Sequence, residues 1–376
     1  MKCFILGPAF PYRGGIANFN EALARSLQEK GIDCSIISFS LQYPSFLFPG
    51  KTQMEEGKAP EGIAIHNLIN SVNPVSWFNT AAFIKRQKPD FIIVRYWLPF
   101  MAPSLGTISR LVKKTTRVIA VTDNIIPHEK RPGDRMLTRY FTGSCHAFVS
   151  MSKAVLKELD QFTGNPNRYF SPHPVYDIFG EKVAKPAARQ QLKLDVNGRF
   201  LLFFGFIRKY KGLDLLLEAM GNAEIKNENI RLIVAGEFYD DENEYQELIE
   251  KYDLKDNVIF YNSYIPREQV KLYFSAADMI VQPYREATQS GVTQIAYHFE
   301  RPMLVTRVGG LPEIVKDGRV GYVTGLNPEE IAKAILDFYR NNREAAFSAQ
   351  AAMDKNDFSW NTFSNVILSA YRQEKQ

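Results

Sequence analysis

The stretch Phe203-Phe204-Gly205-Phe206-Ile207-Arg208-Lys209-Tyr210-Lys211-Gly212 runs from an apolar strand into a turn with three cations, and then into the amphipathic segment 213–220. A glycine and several cations in one strand-to-helix turn gather positive side chains and unpaired helix N–H groups, which suits a multiply charged anion such as a phosphate. A basic turn can also be merely solvated, so this reading depends on what accompanies it. Gln282-Pro283-Tyr284-Arg285-Glu286-Ala287-Thr288-Gln289-Ser290-Gly291-Val292 is a second strand end, polar loop and helix start. There Ser290, Gly291 and Val292 would aim backbone amides at the anion held by Arg208 and Lys211. The loop 8–16 ends in Gly14-Gly15 before a helical pattern, where paired glycines permit positive φ and close backbone approach to a ligand. It lacks the G-x-G-x-x-G spacing and the following acidic residue of a dinucleotide site.

A polar cluster, Thr122-Asp123-Asn124-Ile125-Ile126-Pro127-His128-Glu129, follows the apolar run 118–121. Asp123, Asn124 and His128 are candidates for holding a hydroxylated substrate or moving a proton. The competing reading is that Asp123 or Asn124 caps the loop. Asp240-Asp241 precedes Glu242, Glu244 and Glu247 in a helical pattern, which reads as a solvated acidic helix start and not as a metal motif.

These turns require strands to carry them. Apolar runs at 3–6, 34–38, 91–94, 118–121 and 147–150 alternate with helical patterns at 16–29, 76–86, 105–113 and 153–159. The alternation restarts with runs at 200–204, 231–235, 258–261, 279–282 and 303–306. Short buried strands separated by helices of this length predict α/β layers with mostly parallel sheets. Ligand sites then fall at the carboxyl ends of the strands, in a cleft between two domains. The apolar periodicity lapses over 172–190, read here as a linker, and 358–371 is helical again and expected to pack back on the first domain.

The 376 residues, 45% of them hydrophobic, suffice for two cores. A net charge of +5 is compatible with a polyphosphate ligand or an anionic membrane surface and too weak for a nucleic-acid footprint. Cys3, Cys34 and Cys145 are scattered, which suggests neither disulfides nor zinc and fits a reducing cytoplasm. The first apolar run is too short for a signal peptide, and no run reaches the roughly 18 residues of a membrane span, so any membrane contact is expected to be peripheral, at the inner surface. Aromatic residues beside cations at 46–51 and 95–101 could meet a sugar face or a lipid interface, although such clusters also build ordinary core.

Taken in order, Gly14-Gly15, the turn 205–212, Ala235-Gly236-Glu237, the loop 283–292 and Val308-Gly309-Gly310-Leu311-Pro312-Glu313-Ile314-Val315 resemble the retaining glycosyltransferases of family 4, over nearly the whole chain. The resemblance implies an α/β GT-B fold: two Rossmann-like domains facing each other across a cleft. Residues 1–175 would hold an acceptor, a saccharide or lipid-linked saccharide, and 176–357 a UDP- or GDP-linked sugar as co-substrate. The segment 358–376 would form the returning helix, and neither a metal nor a further cofactor is needed. It assigns the diphosphate grip to Arg208 and Lys211, the donor-side strand-end glycines to Gly205 and Gly236, and the sugar-facing carboxylate to Glu286. Tyr264 and Ile265 would flank the base.

Three positions depart from the family pattern. Phe206 stands where arginine usually follows the strand glycine, and Gln294, or Ile295 on another alignment, stands where a ribose-binding glutamate is usual. Gln289 or Gln294 could accept that ribose bond without a charge. Asp123 takes the approximate place of a cleft histidine, with His128 nearby. Two other functions fit the same grip: a sugar-nucleotide epimerase of this architecture, or a nucleotide-sugar-binding homologue with weakened catalysis.

Overall fold

The computed structural model describes residues 1–44, 52–55, 57–127, 131–175, 178–288 and 290–373. His128, Gln289 and the aromatic run 46–51 lie outside the described residues. The chain divides into two compact units, Met1–Pro174 with Ser359–Gln376, and Val175–Phe358.

The first unit is built on seven parallel strands: β1 (Lys2–Leu6), β2 (Asp33–Leu41), β3 (Ile65–Asn70), β4 (Phe91–Tyr96), β5 (Arg117–Thr122), β6 (Ala147–Ser150) and β7 (Arg168–Phe170). Their order is β3-β2-β1-β4-β5-β6-β7. β4 is buried at every residue, because helices cover both faces of the sheet and neither set of alternating side chains meets water. The terminal helix Trp360–Arg372 packs beside Gly15–Glu29. The Ser26 hydroxyl lies 3.0 Å from that of Ser364, and Phe19 meets the rings of Trp360 and Phe363 edge-on at 4.9 and 5.3 Å. The apolar stripe of the tail is thus buried within the first unit.

The second unit repeats the plan with β8 (Arg199–Phe204), β9 (Ile230–Ala235), β10 (Val258–Tyr261), β11 (Met279–Gln282), β12 (Met303–Thr306) and β13 (Gly321–Thr324). The order β10-β9-β8-β11-β12-β13 is again wholly parallel. In place of linker throughout 172–190, residues Lys185–Gln191 form a helix with proline in its first turn. Arg189, buried, donates to the Asp278 carboxylate at 2.8 Å, and Lys185 binds the same group at 2.5 Å, so polar anchoring holds a helix that apolar periodicity could not reveal.

Three strands have no counterpart in the sequence reading: β3, β7 and β13, all at sheet edges. β3 mixes exposed and half-buried residues, and β7 and β13 have three and four residues, so none presents an apolar run. Both sheets reverse direction between their first and fourth strands, β1 beside β4 and β8 beside β11. Chains leaving two such neighbours diverge to opposite sides and open a crevice at the carboxyl ends, where ligands of open α/β sheets bind.

Candidate functional site

In the second unit the loops after β8 and β11 bring the predicted donor residues together. Gly205 ends β8 at φ 100°, and the turn that follows reaches Gly212 at φ 69°, where an added Cβ would stand 2.0 Å from the Pro283 carbonyl oxygen. The absence of a side chain lets the basic turn press onto the loop after β11. Lys211 then folds back, its Nζ 3.1 Å from where a Gly205 Cβ would be, and the Val292 side chain lies 3.9 Å from the same point. The ammonium also lies 5.7 Å from the Tyr284 ring centre.

Lys211 is partly buried, and burial together with the positive charge of Arg208 pushes its pKa down to about 8. Arg208 sits over the Tyr239 ring at 5.0 Å. Among the described residues neither cation has a carboxylate partner, whereas their neighbours do: Lys209 pairs with Glu244 at 2.9 Å and Arg285 with Asp214 at 2.6 Å. Of three cations adjacent in sequence, one is thus neutralised at the surface and two are held together without a counter-charge. Asp241 accepts from the Asn243 amide at 3.0 Å and caps the helix Glu242–Lys251, and no group of three metal-binding side chains occurs among the described residues.

Ser290 caps the helix Gly291–His298, accepting from the Val292 amide at 3.2 Å and donating to Gln282 Oε1 at 2.5 Å. The Val292 amide expected to face an anion is therefore partnered by the Ser290 hydroxyl. Gln294 is fully buried, and among the described residues neither its amide oxygen nor its nitrogen has a hydrogen-bond partner; Gln282 Nε2 is unmatched too. Buried polar atoms are rarely left so in native proteins. Glu286 is exposed on its loop. Gly309, at φ 49°, packs where a Cβ would overlap the Ala287 carbonyl at 1.4 Å, so the Gly309-Gly310 turn supports the Glu286 loop from below.

Beyond the cations, Phe206, Tyr239 and Tyr264 form an aromatic group, of which Tyr239 was not among the residues singled out from sequence. Phe206 and Tyr264 face each other at 6.4 Å and 25°, and Tyr239 packs on Phe206 at 4.5 Å. Ile265 behind them is buried. The signal available in sequence was the replacement of the expected arginine by an aromatic at 206.

Gly236, at φ 151°, lies where an added Cβ would stand 2.0 Å from the Gly205 carbonyl oxygen. Gly236→Ala should therefore cost at least about 2 kcal/mol in urea unfolding. Gly318→Ala, with left-handed φ 68° but open space around it, should cost less. Equal losses would mean that strain, and not the β8–β9 approach, sets the effect.

In the first unit Gly14 begins the helix Gly15–Glu29 at φ 110°, and a Cβ there would meet nothing within 4 Å. The buried partner of Asp123, Arg95, was not evident from sequence. Arg95, within β4, donates to Asp123 through Nε at 2.8 Å and Nη2 at 2.5 Å, with its guanidinium carbon 3.8 Å from the Phe19 ring centre. Both residues are buried, and Arg95 Nη1 has no partner among the described residues. Burial pushes the Asp123 carboxyl above its ordinary pKa, with the charge and hydrogen bonds of Arg95 acting against that shift. His173, edge-on to Phe19 at 5.1 Å, is driven down to about 3 by burial and stays neutral. An arginine inside an apolar strand is itself a signal, since such a charge needs a buried acid. Around it the 95–101 cluster is core: Tyr96 and Met101 are fully buried and Trp97 nearly so.

This pair of parallel sheets matches solved GT-B glycosyltransferases across their full length. Sucrose-phosphate synthase from Thermosynechococcus elongatus superposes with a TM-score of 0.77 at 15% identity, covering 99% of both chains. Anabaena HepE in complex with UDP gives 0.76 at 14% identity, covering 99% of this chain and 100% of that one. The fold is GT-B, and the protein is a glycosyltransferase. Residues 13–170 match the model of Glycosyltransferase Family 4 and residues 184–357 that of Glycosyl transferases group 1, so the chain belongs to the group 1, family 4 glycosyltransferases. Among curated relatives, D-inositol 3-phosphate glycosyltransferase of Paenarthrobacter aurescens is 21% identical, with 96% of this chain and 93% of the relative aligned. Spore coat protein SA of Bacillus subtilis is also 21% identical, over 98% and 97%.

Proposed function

We propose that this glycosyltransferase moves a hexosyl unit, with retention and without a metal, from a nucleoside diphosphate sugar to a hydroxyl of a saccharide or lipid-linked saccharide. The observation that carries this reading is the pair Arg208 and Lys211, without a carboxylate partner among the described residues, Lys211 folded over Gly205 and Arg208 over the Tyr239 ring. In the proposed step the bond between sugar C1 and the diphosphate oxygen breaks, and a bond from C1 to the acceptor oxygen forms on the same face. The acceptor proton passes to the departing phosphate oxygen. The protein then needs no carboxylate pair of glycosidase type; its main task is to stabilise charge growing on the diphosphate, for which preorganised cations suit.

The base is assigned to the space between Phe206 and Tyr264, and a ribose hydroxyl to the unmatched amide of Gln294. Glu286 is assigned to the sugar, and Asp123 to the acceptor side through its fork with Arg95. Complexes of HepE with UDP and with UDP-glucose favour a uridine donor as the first to be tried. A thermal-shift panel of nucleoside diphosphates and their sugars tests the reading, because a ligand bound only by the folded state raises its stability. A panel that shifts nothing would reject it.

Lys211 adds a pH signature. The free protein loses this proton near pH 8, well below the roughly 10.4 of an ordinary lysine, and a bound diphosphate would restore proton affinity. Affinity for the dianionic terminal phosphate should be level between about pH 7 and 8 and fall by up to about tenfold per unit above it. Calorimetry near pH 9 in buffers of different ionisation enthalpy should show proton uptake with the diphosphate and none with the nucleoside.

A further inference from the structure

Residues 71–150 carry twelve lysines and arginines against four acids, a net charge of +8, although the whole chain sums to only +5; the remainder is net acidic. Three helices of this segment, Pro74–Gln87, Ala102–Val112 and Asp134–Thr142, follow β3, β4 and β5, each connection stepping the same way along the sheet. Right-handed crossovers place all three on one face, where they pack side by side.

The outward surface of this row has two features. Lys85, Arg86, Lys88, Lys114, Arg135 and Arg139 are exposed, and none forms an ion pair among the described residues. The described ion pairs of the unit, Lys2 with Asp33, Arg95 with Asp123 and Arg168 with Asp160, lie elsewhere. Interspersed with these cations are side chains that a water-facing surface does not need: Val72, Val75 and Phe78 are 51, 64 and 57% exposed, and Met136 is 70% exposed. Val75, Phe78, Ala82 and Lys85 recur at the three- and four-residue spacing of one helical stripe, opposite the buried Thr80, Ala81 and Ile84. Arg135 and Arg139, with Met136 and Tyr140, repeat the pattern on the third helix.

From this combination we infer that the three-helix face of the first unit docks on an anionic lipid bilayer. Unpaired cations supply attraction to headgroup phosphates, and the exposed aliphatic and aromatic tips enter the boundary with the acyl chains. A nucleic acid would use the cations but has no place for Val72, Val75 and Met136. No helix among the described residues is long and apolar enough to cross a membrane, so this contact lies on the surface. It relocates the lipid contact from the 95–101 cluster, which is core, and rests on the transferase reading only for its purpose, access to a lipid-linked acceptor.

Flotation of the full chain with phosphatidylcholine vesicles, with and without phosphatidylglycerol, tests the inference without donor or acceptor. The protein should float with the anionic vesicles, weakly with neutral ones, and less at high salt. Lys85→Gln with Arg86→Gln should lower partitioning roughly thirtyfold, and Val75→Ser with Phe78→Ser should lower it as well. Both pairs are surface changes and should leave the melting temperature and the nucleotide thermal shift as in wild type, so a failure of docking is separable from a failure of the donor site. Equal flotation with neutral vesicles, or no response to Val75→Ser with Phe78→Ser, would overturn the proposal; the latter would mark a general polyanion surface.

Discussion

Lys211→Ala should slow the release of nucleoside diphosphate from a sugar donor by about two orders of magnitude or more, with the protein still folded. Lys211 is bent over Gly205 beside the first turn of the helix Gly291–His298, which is where the proposed reading puts the donor diphosphate. Its loss removes stabilisation that grows as the leaving group gains charge, so turnover should fall more than nucleotide affinity. Binding of the unphosphorylated nucleoside, which the proposal assigns to the Phe206 and Tyr264 rings, should be unchanged. Stability should not fall, because burial and Arg208 both disfavour the charged lysine in the free protein. Lys209→Ala is the matched control: that side chain is exposed and tied to Glu244, and its removal should change turnover by no more than about twofold. Undiminished turnover in Lys211→Ala would end the assignment of the grip.

Asp123→Ala should be the most destabilising single change at the first unit's crevice. It leaves the Arg95 guanidinium stacked on Phe19 inside the protein with no opposing charge, a situation that costs about 3–5 kcal/mol. Replacing both partners, Arg95→Leu with Asp123→Leu, should recover much of that loss, since no charge is then stranded. Urea unfolding of the single and double variants reads the coupling. An Asp123→Ala protein that unfolds like wild type would show that the pair does not carry the stability assigned to it. Turnover per folded molecule in Asp123→Asn then separates a part in substrate binding from a purely structural one.

Much of the fold was legible because central strands of a parallel sheet are apolar on both faces. β4 and β8 announce themselves by composition, whereas β3 and β13, at the edges, carry too few apolar residues to do so. Glycines in strand-end turns were informative for a related reason: at Gly212 and Gly236 backbone from another loop occupies the space of a side chain. The donor candidates of the second unit, strung from 205 to 294, could be grouped because each follows a recognisable strand. The buried ion pair of the first unit was harder to read, since the fork between Arg95 and Asp123 joins residues 28 apart in sequence. Its existence depends on β4 and β5 being neighbours.

The sequence alone determined the α/β alternation, the strand ends bearing glycine and cation, and membership of a glycosyltransferase family, because backbone conformation and burial constrain residue type position by position. Tertiary structure decided which charges stay free. Lys209 and Lys211 are chemically equivalent in the chain, yet one meets Glu244, 35 residues on, and the other is folded over Gly205 near Arg208. Net electrostatic function depends on which partners the fold brings within a few ångströms, and local sequence does not encode that distance.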